Sequence, residues 1–147
     1  MPTATGSEER PVVLLDTSAA IALVLEDHDA HAATVAAVAG RRLGLAGHAW
    51  FETYSVLTRL PGDLRRSPAD TARLLTHNFP ASAFLSESAT AALGAEFARL
   101  GIAGGAVYDA LVGAAARHHG QPLLTRDTRA WPTFGAMGVT LAAAAAE

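Results

Sequence analysis

The chain has 147 residues, half of them hydrophobic, a net charge of −3 and no cysteine. That length fits one domain with a sizeable core, and the missing cysteines exclude disulfides, thiolate metal sites and cysteine nucleophiles. The acidic balance excludes a generally basic nucleic-acid binder, and since every basic residue is arginine, mechanisms that need a lysine are excluded as well.

Residues 1–10 are polar, carry Glu8 and Glu9, and lack the apolar stretch of a secretory signal. They are read as an N-terminal extension. The run Val12 to Leu25 is too short to span a bilayer and contains Asp16, so a cytoplasmic protein with no membrane segment is expected. Val12-Val-Leu-Leu15 has the continuous apolar character of a strand buried on both faces. Asp16-Thr17-Ser18 supplies strand-end and helix-cap chemistry, and Ala19 to Leu25 reads as a short helix. A second helix is expected from Asp27 or Asp29 to Ala39, and a second strand over Leu43 to Ala46.

His48 to Leu60 reads as a helix that stops before Pro61-Gly62. Ser67 and Pro68 supply an N-cap and a first helical position for another helix, which runs to Asn78. Ala83 to Leu85 is a short strand candidate and Glu87 to Leu100 a helix. Glycines 101, 104 and 105 precede a helix from Ala106 to His119. Leu123 to Thr125 is a further strand, Asp127-Thr-Arg opens a last turn or helix, and Val139 to Leu141 is a final strand candidate. Residues 11–141 form the expected domain and 142–147 an Ala-rich tail. Alternating strands and helices predict an α/β fold, with a parallel sheet covered by helices on both faces. Ligands of such sheets bind beyond the carboxyl ends of the strands, where Asp16 and Asp127 both fall.

Four carboxylates stand where hydrophobic residues would be usual. Asp16 follows the first strand, and Asp127 follows Leu123-Leu-Thr125. Asp109 is the only charge between Ile102 and Ala116, and Glu52 begins the helical row Glu52, Val56, Leu60. At about 5 Å and an effective dielectric near 20, each converging pair costs roughly 3 kcal/mol. Protonation relieves such repulsion, and a hard divalent cation relieves it better, because Mg²⁺ and Mn²⁺ take oxygen ligands. Taken singly, Asp16 and Asp127 also read as helix caps, and Glu52 as the partner of an arginine.

Together, Leu15-Asp16-Thr17-Ser18, Phe51-Glu52, Tyr108-Asp109-Ala110-Leu111 and Leu124-Thr125-Arg126-Asp127 resemble, in order and spacing, a PIN-domain ribonuclease of the VapC toxin type. The resemblance spans nearly all of Val12 to Leu141. It implies a three-layer α/β/α PIN domain with a short central parallel sheet. It also implies an endoribonuclease that hydrolyses RNA phosphodiester bonds with Mg²⁺ or Mn²⁺, as the toxin of a toxin–antitoxin module. By the same resemblance Asp16, Asp109, Glu52 and Asp127 are the metal-binding and catalytic acids, and Thr17 and Thr125 orient acids or water. The implied partners are a cognate small VapB-like antitoxin, RNA, and a second copy in a homodimer. The ten residues before the domain depart from the family's usual start.

A non-catalytic PIN-like RNA-binding or scaffold module is the alternative. A dehalogenase-like phosphatase needs Asp-x-Asp where this chain has Asp16-Thr17-Ser18, and a receiver domain needs a lysine. Arg59, Arg65, Arg66 and Arg73, with Arg126 and Arg129, are candidate phosphate contacts. Trp50 and Trp131 are read as packing residues, His28 and His31 as a solvated helix start, and His118 and His119 as facing apart.

Overall fold

The computed structural model describes residues 10–143. The expectations for the N-terminal extension, 1–10, and the tail, 142–147, therefore lie almost wholly outside the described residues. The first strand, β1 (Val12–Leu15), forms where predicted, and α1 (Thr17–Val24) follows it directly. Next come α2 (His31–Val38), β2 (Arg42–Leu45), α3 (His48–Thr58) and, after a 3₁₀ turn at Gly62–Leu64, α4 (Pro68–Asn78). Ser67 caps α4 by accepting from the Asp70 amide at 3.1 Å, and Pro68 occupies its first turn.

The expected helix from Glu87 to Leu100 is two helices, α5 (Glu87–Ala91) and α6 (Leu93–Leu100), joined at Ala92. The chain continues through α7 (Ala106–His118), β3 (Leu123–Leu124), a 3₁₀ turn at Thr128–Ala130 and α8 (Trp131–Ala136).

All three strands are parallel, in the order β2-β1-β3. Single parallel bridges, Ala46 with Ala83 and Leu123 with Leu141, extend the sheet at both edges. The two outer segments expected as strands thus pair at one residue each. Strand pleating divides the core. Val13, Leu15, Leu45 and Leu124 face one way, onto Ala19, Ala20, Val38, Leu57, Leu75 and Phe79. Leu14 and Leu123 face the other way, onto Val112, Ala115, Ala116, Ala130 and Phe134. Helices α1 to α4 therefore cover one face, and α7 and α8 the other, which is the three-layer α/β/α arrangement.

Two glycines let α3 start beside the sheet edge. Gly47, at φ +49°, turns the chain out of β2, and a Cβ there would sit 2.9 Å from the Ala115 methyl. At Gly44 a Cβ would lie 2.3 Å from the Ala81 carbonyl oxygen, so only glycine admits the chain leading to Ala83. This approach places α3, and with it Glu52, next to the carboxyl ends of β1 and β2.

Candidate active site

Asp16 is set by backbone geometry. Its amide donates to the Leu124 carbonyl at 3.1 Å, continuing the β1–β3 pairing by one residue. Its side chain then caps α1, with Oδ1 accepting from the Ala19 amide at 2.9 Å and from the Ser18 hydroxyl at 2.7 Å. The Thr125 hydroxyl donates to Oδ2. These three donors offset the cost of holding a carboxylate that is only 7% exposed. The helix-cap reading of Asp16 is therefore correct as far as it goes.

The two hydroxyls on Asp16 belong to Ser18 and Thr125. Ser18 Oγ also accepts from the Arg126 amide at 2.8 Å, while Thr125 Oγ1 accepts from the Asp127 amide at 3.0 Å. Ser18 and Thr125 thus stitch the β1–α1 turn to the loop after β3, and this brings Asp127 towards Asp16. Thr17 Oγ1 is buried without a hydrogen-bond partner. Asp127 Oδ1 accepts from the Arg129 amide at 3.1 Å, capping the 3₁₀ turn, and from Arg129 Nε at 3.2 Å.

Glu52 lies on α3 one turn after His48, whose Nε2 is 3.6 Å from its carboxylate. The His48 ring stacks on Tyr108 with centroids 5.4 Å apart, and Tyr108 precedes Asp109 in the first turn of α7. The helix dipole favours an acid at that position.

The electrostatics show that the four acids converge. Burial pushes the Asp16 carboxyl above its ordinary value, against the pull of its hydrogen bonds, and the Asp127 charge adds to the rise. Burial also raises Glu52; His48 opposes this, and the charges of Asp109 and Asp16 reinforce it. Asp109 is raised by burial and by Asp127, with Arg129 in opposition. Glu52 and Asp127 thus each lie within electrostatic reach of both Asp16 and Asp109.

Among the described residues no three acidic or histidine side chains stand as a preassembled metal cage. The chemistry of the four acids nonetheless fits a hard divalent cation: an all-oxygen donor set, excess negative charge, and the buried, unpartnered Thr17 hydroxyl beside Asp16.

Sequence reasoning missed Ser18, His48 and Tyr108. His48 had a usable signal in its spacing of four from Glu52, and Ser18 stood within the quoted Asp16-Thr17-Ser18 run. The other sequence candidates are placed elsewhere or otherwise engaged. Arg73 pairs with Asp70, and Arg65 donates to the Leu60 carbonyl at 2.9 Å. Trp50 packs against the core and stacks on Tyr54, while Trp131 is 53% exposed. His28 Nδ1 accepts from the Ala30 amide and His31 Nδ1 contacts the Ala22 carbonyl, each at 3.0 Å, so the two do not form a pair. His118 and His119 meet edge-on. A groove of about 770 Å³ along α4, lined by Ala72, Arg73, Thr76, His77 and Pro80, contains none of the four acids.

Residues 13–134 match the PIN domain family. The chain is 52% identical over 136 residues to ribonuclease VapC27 of Mycobacterium tuberculosis, covering 92% of this chain and 99% of that one. It is 41% identical over 121 residues to ribonuclease VapC40 of the same organism, covering 81% and 89% of the two chains. Among solved structures it resembles FitAcB from Neisseria gonorrhoeae, with a TM-score of 0.63 at 18% identity, covering 88% and 95% of the two chains. It likewise resembles FitAB bound to the IR36 DNA fragment, with a TM-score of 0.64, also at 18% identity, covering 88% and 92%. At that identity the two structures speak to the fold.

Proposed function

The chain belongs to the PIN-domain family, among the VapC-type ribonucleases, and on that premise we propose that it is a metal-dependent endoribonuclease acting as the toxin of a toxin–antitoxin module. The observation that carries the proposal is that Asp16, Glu52, Asp109 and Asp127, at the carboxyl end of a parallel sheet, each lie within electrostatic reach of two of the others. A purely structural role accounts for one or two of them as caps. It does not account for Asp109 and Glu52 lying within electrostatic reach of the others, where like charge raises both.

Asp16, Asp109, Glu52 and Asp127 would hold Mg²⁺ or Mn²⁺. When bound, that ion supplies charge stabilisation at a phosphoryl oxygen and activation of water. The protein's own part is positioning. Ser18 and Thr125 lock Asp16 in one rotamer, so the site does not spend binding energy ordering it. Thr125 also ties down the Asp127 backbone. Thr17 brings a hydroxyl with no protein partner, suited to orienting water. Arg129, paired to Asp127 with its side chain 91% exposed, is placed to meet a substrate phosphate.

The proposed domain, 11–141, encloses the family match at 13–134. The proposed partners are RNA, a small VapB-like antitoxin and a second copy in a homodimer. No described helix is long and apolar enough to cross a membrane, and the proposed location is the cytoplasm. Purified protein, freed of antitoxin, is expected to cut RNA with Mg²⁺ or Mn²⁺ and to stop on addition of EDTA. Cleavage unchanged in EDTA would overturn the metal mechanism. Expression alone is expected to arrest growth, and co-expression of the adjacent small reading frame to restore it. A non-catalytic RNA-binding module would bind RNA without cutting it under either condition.

A further inference from the structure

RNA that approaches four carboxylates meets like charge, and the chain as a whole carries −3. Attraction of phosphates to the protein's own charges is therefore limited at this site, and a contact to the bases would add to it. Single-stranded nucleic acid offers one, because every base has an aromatic face that stacks on exposed rings.

The structure provides one such ring beside the acids. Tyr108 is 54% exposed although it is large and partly apolar. Its ring lies nearly parallel to His48, with centroids 5.4 Å apart and planes 22° apart. His48 in turn reaches Glu52 at 3.6 Å, and Tyr108 is the residue before Asp109. The stacked pair is thus joined to two of the four acids, one through contact and one through the chain. Tyr108 is not required for the core, since no core cluster includes it. The His48 stack fixes the ring's orientation, which lowers the entropy cost of a further stacking partner.

We propose that Tyr108, backed by His48, is a stacking platform for an unpaired nucleobase next to the phosphate that reaches the four-acid site. This rests on the ribonuclease reading and deepens it. The platform selects a base that can leave a helix stack, as in a loop or single strand. It tolerates different bases, because stacking reads a ring and not a hydrogen-bond pattern.

The test uses a short oligoribonucleotide that the wild type is found to cut, carrying the fluorescent base 2-aminopurine next to the cleavage position. Ca²⁺ replaces Mg²⁺ to slow turnover during the binding measurement. Wild type and Tyr108→Phe are expected to quench the probe, as stacking does, and to bind with similar affinity. Tyr108→Leu keeps apolar bulk without an aromatic face; it is expected to lose the quench and bind roughly 5- to 150-fold more weakly, the range for losing one base–aromatic stack. In Mg²⁺ its KM is expected to rise more than its kcat falls. A wild type that cuts no RNA overturns the platform together with the ribonuclease reading. A wild type that cuts RNA, with Tyr108→Leu equal to it in quenching and affinity, overturns the platform alone. A Tyr108→Leu change in oligomeric state with unaltered quenching also overturns it, and assigns Tyr108 to a contact between copies.

Discussion

Asp16 serves two functions that pull in different directions. As a cap it receives donors from Ala19, Ser18 and Thr125, which favour its charged form. As a member of the four-acid site it feels Asp127 and burial, which disfavour that form. Asp109 lacks the cap role; its rise is opposed by the charge of Arg129. The two acids should therefore respond differently to loss of charge. Asp109→Asn removes repulsion worth at most a few kcal/mol and is expected to melt higher than wild type in EDTA, by about 2–4 °C for each kcal/mol gained. Asp16→Asn keeps an oxygen for the Ala19 amide but turns an amide towards Thr125, so its gain is expected to be smaller or absent. Both variants are expected to lose most of the stabilisation that Mn²⁺ gives wild type, since a ligand stabilises only the fold it binds. Thermal melts with EDTA and with excess Mn²⁺ check this. Asp109→Asn melting below wild type in EDTA, yet gaining as much from Mn²⁺, would remove the four-acid site from the account.

At the level of elements, one ion pair ties α6, α7 and the end of α8 together beside the apolar cluster of Leu93, Ala110, Ala114 and Met137. Arg117 on α7 donates to both Glu96 oxygens on α6, at 2.5 and 2.9 Å, and to the Met137 carbonyl after α8 at 2.9 Å. The bidentate contact holds the Glu96 carboxyl below its ordinary value of 4.5. A carboxylate whose value is lowered by folding adds stability above its unfolded value and loses it as the pH falls through the folded one. Glu96→Gln is thus expected to lower stability near neutral pH by up to about 1 kcal/mol, the pair being solvent-screened. The difference from wild type should vanish once the pH is well below 4.5. Paired melts at the two pH values read this, and a difference that persists in acid would assign the loss to packing and not to charge. Elements of this kind were legible where local signals were strong. Ser67-Pro68 marked the start of α4, and the run Val12 to Leu15 marked β1. The break at Ala92 carried no glycine or proline, and the single-residue pairing of Ala83 and Leu141 depends on neighbours far along the chain.

For the molecule as a whole, topology is what turns scattered acids into a site. Parallel strands put Asp16 and Asp127 at one edge of the sheet, and the close approach at Gly47 sets α3 beside α7 there, bringing Glu52 and Asp109 to the same place. The four acids stood out as candidates because each lay in, along or just past an apolar run. The hydroxyl stitch of Ser18 and Thr125 and the His48–Tyr108 stack were not, because each joins residues separated by 60 positions or more, and no local pattern announces the pairing. These four acids are proposed to cut RNA. The most direct test is to incubate total RNA with wild type or with Asp109→Asn at equal concentration in Mn²⁺, and to sequence the new 5′ ends. Wild type is expected to create a reproducible set of ends, and the variant, folded by the same melt criterion, to create them at least about 100-fold more slowly. Equal production of the same ends by both proteins would contradict the account.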